Sequence, residues 1–127
     1  MAVSNELVFV YGTLRRGGSH HWRMDGAEFV RAGTIRGRMY RFDWYPGLIA
    51  DENGGEIIGE IYQVGPAQLA ALDLFEGLSA GEIEGSEYRR VRVEVGGGDP
   101  VTAWIWEWLG PVDEPKRIAG GDWLACG

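Results

Sequence analysis

The segment Leu7-Val8-Phe9-Val10-Tyr11-Gly12-Thr13-Leu14-Arg15-Arg16-Gly17-Gly18 begins with unbroken apolar side chains and ends in arginines and glycines. An apolar run this short, with no alternation and a glycine directly after it, reads as a strand covered on both faces. Gly12 ends it with a sharp turn. Successive main-chain N–H groups at such a turn form a nest for an anion or an oxyanion, and Gly12 lets a ligand come close to the backbone. The plainer reading, a strand-ending turn followed by two solvated arginines, stays open. No Lys-Ser/Thr follows the glycines, so the segment is not a nucleotide-binding P-loop.

Short strands continue on the C-terminal side of this segment. Residues 19–25 fit a short helix or turn with Ser19 as N-cap. Phe29 to Trp44 reads as one or two strands ending at a turn over Tyr45-Pro46-Gly47. Asn53-Gly54-Gly55 turns into a strand from Glu56 to Val64. Pro66 to Glu76 is the one long helix: proline suits its first turn, alanine and leucine fill it, and Gly77 supplies a left-handed stop. Tyr88–Val95 and Val101–Trp108 form a hairpin around Gly96-Gly97-Gly98-Asp99-Pro100. Val91, Val93 and Val95 alternate with Arg92 and Glu94, which gives that strand one wet face. No linker or repeat divides the 127 residues. The expectation is a single α+β domain over residues 1–127, built as a curled sheet or small barrel.

One residue of the helix is misplaced for a structural role. With about 100° per residue and Leu69 at the origin, Leu72 falls near −60°, Glu76 near −20° and Asp73 near +40°. Glu76 therefore sits on the apolar stripe, and Asp73 at its edge, nearer to solvent. A carboxylate facing a core is costly unless paired or protonated, and desolvation raises its pKa towards that of a general acid/base. Two alternatives remain at this level. The helix could stop at Phe75 and release Glu76 to water, or Arg89 or Arg90 could pair with it.

Composition excludes several classes. Nineteen acidic residues against twelve basic, net −7, repel a phosphate backbone, and the adjacent pairs Arg15–Arg16 and Arg89–Arg90 are far apart. Nucleic acid is not an expected partner. Cys126 is the single cysteine, so neither an intrachain disulfide nor a thiolate zinc site is available, and it has no evident partner. Met1 to Glu6 lacks the features of a secretion signal, and no apolar run approaches the ~20 residues of a membrane helix. The cytoplasm is the expected compartment, and oligomeric state is left open. His20 and His21 are adjacent and diverge, which suits a loop rather than a metal site. Trp104, Trp106 and Trp108 share one strand face, as core or as a binding wall. Glu82, Glu84 and Glu87 crowd a Gly/Ser-rich loop, solvated or acting as a lid.

Taken in order, Phe9-Val10-Tyr11-Gly12-Thr13-Leu14-Arg15-Arg16-Gly17, Tyr45-Pro46-Gly47-Leu48, Gly59-Glu60-Ile61-Tyr62-Gln63-Val64, Leu72-Asp73-Leu74-Phe75-Glu76-Gly77, Tyr88-Arg89-Arg90-Val91 and Gly121-Asp122-Trp123 resemble the gamma-glutamylcyclotransferase family, including its gamma-glutamylamine branch. Thr13 stands where many members have Ser. The resemblance implies a small mixed β-barrel with few flanking helices and a small gamma-glutamyl substrate. It also implies cyclisation of the gamma-glutamyl group to 5-oxoproline with release of an amine or amino acid. Glu76 is the implied general acid/base. Tyr11, Gly12, Thr13 and Leu14 are the implied donors to an oxyanion or to the substrate α-carboxylate, and Tyr88 the implied positioning hydroxyl. No metal or organic cofactor is called for. A non-catalytic small-ligand module of the same fold and an interaction protein are the competing readings.

Overall fold

A computed structural model describes residues 5–42, 44–79 and 82–125. The reading of the extreme N-terminus and that of Cys126 lie outside the described residues. Six strands form one mixed sheet in the order β3-β2-β4-β1-β6-β5: β1 is Glu6–Val10, β2 Glu28–Phe42, β3 Tyr45–Ala50, β4 Gly55–Val64, β5 Tyr88–Val95 and β6 Val101–Trp108. β1 lies in the middle, antiparallel to β4, with Val8 opposite Tyr62, and parallel to β6, with Val8 beside Trp104. Its continuous apolar run follows from that position, because both of its faces are covered.

Phe9 joins Ile35, Met39, Leu48, Ile57, Ile61, Val95 and Ile105 in a core to which all six strands contribute. Val8 and Val10 point the other way, into a second core with Leu69, Leu72 and Leu78 from the helix α1, Pro66–Phe75, and its exit. The sheet curls until its far edges nearly meet, and backbone bonds join Thr34 to Gly96 in both directions (2.8 and 3.3 Å). The buried Glu107 of β6 accepts the Ala50 N–H of β3 at 2.9 Å. Among the described residues the result is a nearly closed six-stranded mixed barrel with one α-helix on its side. Among the described residues no helix is long and apolar enough to cross a membrane.

Several local expectations need correction. Of the one or two strands read over Phe29–Trp44 there is one, β2, which runs from Glu28 to Phe42 with a bulge at Val30 where the register shifts. Tyr45-Pro46-Gly47 is not the turn but the start of β3, with Pro46 opposite Arg41. Proline is tolerated there because β3 is the last strand in the pairing order and the missing N–H interrupts no ladder. The short helix is a 3₁₀ turn, His21–Met24, capped by His20; Ser19 instead contacts the His20 ring at 3.1 Å. The hairpin of β5 and β6 is as read, with Val95 buried and Arg92 and Glu94 exposed.

Candidate active site

The end of α1 carries Glu76 into place. The helix stops at Phe75, and Glu76 is its C-cap (φ −82°, ψ 1°), followed by Gly77 at φ +89°. Leu78 N–H donates to Asp73 O at 2.8 Å and Gly77 N–H to Leu74 O at 3.1 Å, the paired bonds of a Schellman ending. Leu78 is then buried in the outer core, which anchors the exit. Ending at Phe75 therefore does not release Glu76 to water. It is half-buried and lines a cavity of about 210 Å³.

The expected partners of Glu76 are engaged elsewhere. Arg90 Nε donates to Asp73 at 2.9 Å, and Arg89 pairs with Glu107 at 2.7 Å. Among the described residues no hydrogen bond or ion pair holds the Glu76 carboxyl group. Enclosure pushes its pKa up to about 8; Asp73, one turn earlier, adds to the rise, Arg23 opposes it, and Glu87 adds a little more. Asp73 itself is buried rather than solvent-facing, accepting from Arg90 and from the Trp106 indole N–H at 2.8 Å. The wheel placed Asp73 at the stripe's edge, but that edge faces the donors of β5 and β6.

The same cavity is lined by Tyr11, Gly12, Thr13 and Leu14 and by Tyr88, so the six residues to which the resemblance gives a site role, Glu76 included, meet there. Arg15 N–H bonds back to Gly12 O at 3.1 Å, closing the turn. The N–H groups of Gly12, Thr13 and Leu14 donate to nothing among the described residues, as a nest requires. Gly12 has a more particular reason than ligand approach. A side chain there would meet Pro46 Cγ at 2.5 Å, so the Pro46 ring of β3 packs directly on the bend. Arg15 is not solvated: it is buried, with Nε on Glu60 at 3.0 Å and a terminal nitrogen on Asp122 at 2.7 Å. Glu60 also accepts Arg16 N–H at 2.8 Å and the Tyr62 hydroxyl at 3.1 Å. The bend is thus clamped immediately downstream of its free donors.

Both cavity phenols are committed as donors. Tyr11 O–H donates to Trp106 O at 2.7 Å and Tyr88 O–H to Pro46 O at 2.8 Å. Burial raises both pKa values, with Tyr88 and Glu76 adding for Tyr11 and Glu76 adding for Tyr88. They stay neutral; the Tyr11 oxygen accepts from the Leu48 N–H, whereas the Tyr88 oxygen keeps its lone pairs for an incoming N–H. Trp106 is buried and lines the cavity, Trp108 is buried, and Trp104 is half-buried beneath Arg90 and Arg92. Trp44, Phe75 and Glu87 also line the cavity; nothing local in the sequence marks Trp44 or Phe75 for it, and for Glu87 the sequence offers a solvated loop or a lid. Glu82, Glu84 and Glu87 are exposed, Glu87 at the cavity rim. His21 Nδ1 contacts Leu14 O at 2.9 Å, and the His20 ring packs 5.0 Å from Trp44 and 5.2 Å from Phe75. Among the described residues no cluster of His, Cys, Asp or Glu could hold a metal ion.

Comparison with known proteins gives the family and the fold. The family model described as gamma-glutamyl cyclotransferase, AIG2-like, matches residues 8–125. YtfP of Escherichia coli K12, a gamma-glutamylcyclotransferase family protein, is 35% identical over 119 residues, covering 92% of this chain and 95% of YtfP. The crystal structure of a Pyrococcus horikoshii protein superposes with a TM-score of 0.70 at 29% identity, covering 92% of this chain and 88% of that one. An AIG2-like protein from Mus musculus shares the fold, with a TM-score of 0.75 at 24% identity and coverage of 97% and 90%. With its family model spanning nearly the whole barrel, the chain belongs to the gamma-glutamyl cyclotransferase, AIG2-like, family.

Proposed function

We propose that this chain cyclises a gamma-glutamyl group to 5-oxoproline and releases an amine or amino acid, with Glu76 as general acid/base. The observation that carries the reading is one cavity presenting both an unpaired, pKa-raised carboxyl group and three free main-chain donors. The cavity of about 210 Å³ is small. Pockets for drug-sized ligands run to roughly 300–1,000 Å³, so an amino-acid-sized head fits inside and the rest of the substrate projects past the rim.

The α-nitrogen of the substrate attacks its own γ-carbonyl carbon, the new C–N bond closes the ring, and the bond to the departing nitrogen breaks. Attack is intramolecular, so holding the substrate folded supplies much of the acceleration and the protein needs no nucleophile. Glu76 takes a proton from the α-ammonium and delivers one to the departing nitrogen. Two protons leave the first nitrogen in all and two reach the second, so the relay resets without net consumption. The free N–H groups of Gly12, Thr13 and Leu14 serve the oxyanion or the α-carboxylate, and the Tyr88 oxygen accepts from the α-nitrogen. Tyr11 holds the Trp106 wall in place.

Glu76→Gln keeps the shape and removes the relay. The expected outcome is a fall in 5-oxoproline release of about 10²–10⁴-fold with an unchanged circular dichroism spectrum. A folded Gln variant that turns over gamma-glutamyl compounds near the wild-type rate would refute the assignment.

A further inference from the structure

Arg23, on the 3₁₀ turn, stands with its guanidinium carbon 4.1 Å from the Phe75 ring centre and 4.4 Å from that of Trp22. Phe75 is a wall of the cavity and the residue immediately before Glu76. Among the described residues no carboxylate pairs with Arg23, and its Nε is buried without a hydrogen-bond partner. Arg15, Arg38, Arg89 and Arg90 all have carboxylate partners in this acidic chain. A half-buried guanidinium left unpaired is the exception that calls for a ligand. The residues lining the cavity include two carboxylates, Glu76 and Glu87, and no lysine or arginine.

We propose that Arg23 is a specificity-determining residue that receives the α-carboxylate of a departing amino acid, so that gamma-glutamyl α-amino acids are favoured over gamma-glutamyl amines lacking that group. The inference rests on the cyclisation reading above. In such a substrate the carboxylate is attached to the carbon next to the nitrogen that Glu76 protonates. It therefore arrives beside two acidic side chains and requires a cation. Arg23 is the cation whose charge is felt at Glu76, where it opposes the rise in pKa. The Trp22 and Phe75 rings flank the guanidinium and Nε is enclosed, so the terminal nitrogens are the ones left to meet a carboxylate, the charge-assisted pairing that arginine makes most strongly.

The test compares gamma-glutamyl-alanine with gamma-glutamyl-ethylamide, which differ only in the carboxylate, using wild type, Arg23→Gln and Arg23→Lys. The Gln variant is expected to lose about 10- to 100-fold in kcat/KM on the alanine substrate, mainly through KM, as for a charge-assisted hydrogen bond. Its activity on the ethylamide should fall far less, so that the ratio of the two substrates shifts, and the Lys variant should recover part of the loss. Any change at Glu76 caused by removing the charge acts on both substrates and cancels in their ratio. An unchanged ratio overturns the role of Arg23, as does wild type acting on the ethylamide but not on gamma-glutamyl-alanine. Either result leaves cyclisation standing, whereas 5-oxoproline from neither substrate overturns the cyclisation reading and this inference with it.

Discussion

Between pH 4.5 and about 8 the folded chain keeps a proton on Glu76 that the unfolded chain has released. Folding then takes up a proton, so the contribution of this group to stability is complete below the lower value and lost as pH rises through the upper one. The slope is at most about 1.4 kcal/mol per pH unit. Glu76→Gln resembles the protonated form at every pH. The wild type should match the variant near pH 4, fall progressively behind it towards pH 8, and keep a constant deficit above that, as followed by urea melts across the range. On the proposal that Glu76 is the base, activity runs the other way, because the base must be ionised in the free enzyme: kcat/KM should rise with pH through about 8. A helical wheel was enough to find Glu76, since a carboxylate between Leu69 and Leu72 breaks an otherwise apolar stripe. It could not find the partners of Asp73, because Arg90 and Trp106 come from strands far along the chain. The burial of Arg15 was hidden for the same reason: Glu60 and Asp122 reach it only once the sheet has formed.

At the scale of the element, the exit of α1 is where conformation and chemistry are joined. Gly77 has φ +89° and nothing within 4 Å of where a side chain would sit. Alanine there meets no neighbour, so its penalty is that of the left-handed backbone, about 1 kcal/mol. Gly77→Ala should lower the thermal midpoint by about 3–6 °C. It should reduce kcat by more than a change of equal stability on the exposed face of the helix, such as one at Ala70, because Glu76 is aimed by this ending. The helix and its stop were legible because Pro66, the alanines and leucines and Gly77 act locally. Tyr45-Pro46-Gly47 was misread because Pro-Gly is a strong turn signal, and the facts that seat it in β3 are distant ones. Pro46 lies against Gly12, and its carbonyl accepts the Tyr88 hydroxyl. Pro46, half of a pair that punctuates most chains, here forms a wall of the cavity.

For the whole molecule, the cavity exists only because the sheet closes. Strand positions followed from local runs and turns, but the order β3-β2-β4-β1-β6-β5 did not, since parallel pairing of β1 with β6 joins residues almost a hundred positions apart. Closure brings β3 up to β6 and β5, and Glu107 is the polar clamp at that seam. One oxygen accepts Ala50 N–H at 2.9 Å and the other accepts Arg89 at 2.7 Å. The two bonds differ in weight. Arg89 keeps 46% of its side chain exposed, so Arg89→Ala should cost no more than about 1 kcal/mol, as for surface pairs. Glu107→Ala strips a main-chain donor at the seam of its acceptor and should cost about 1–3 kcal/mol. It should also speed hydrogen exchange at Ala50 N–H and raise KM, since the strand it loosens carries Pro46 and, through it, Tyr88 and the bend at Gly12. Equal effects of the two substitutions on melting and exchange would mean that the barrel is held shut by its apolar interior alone, with the shape of the cavity independent of this clamp.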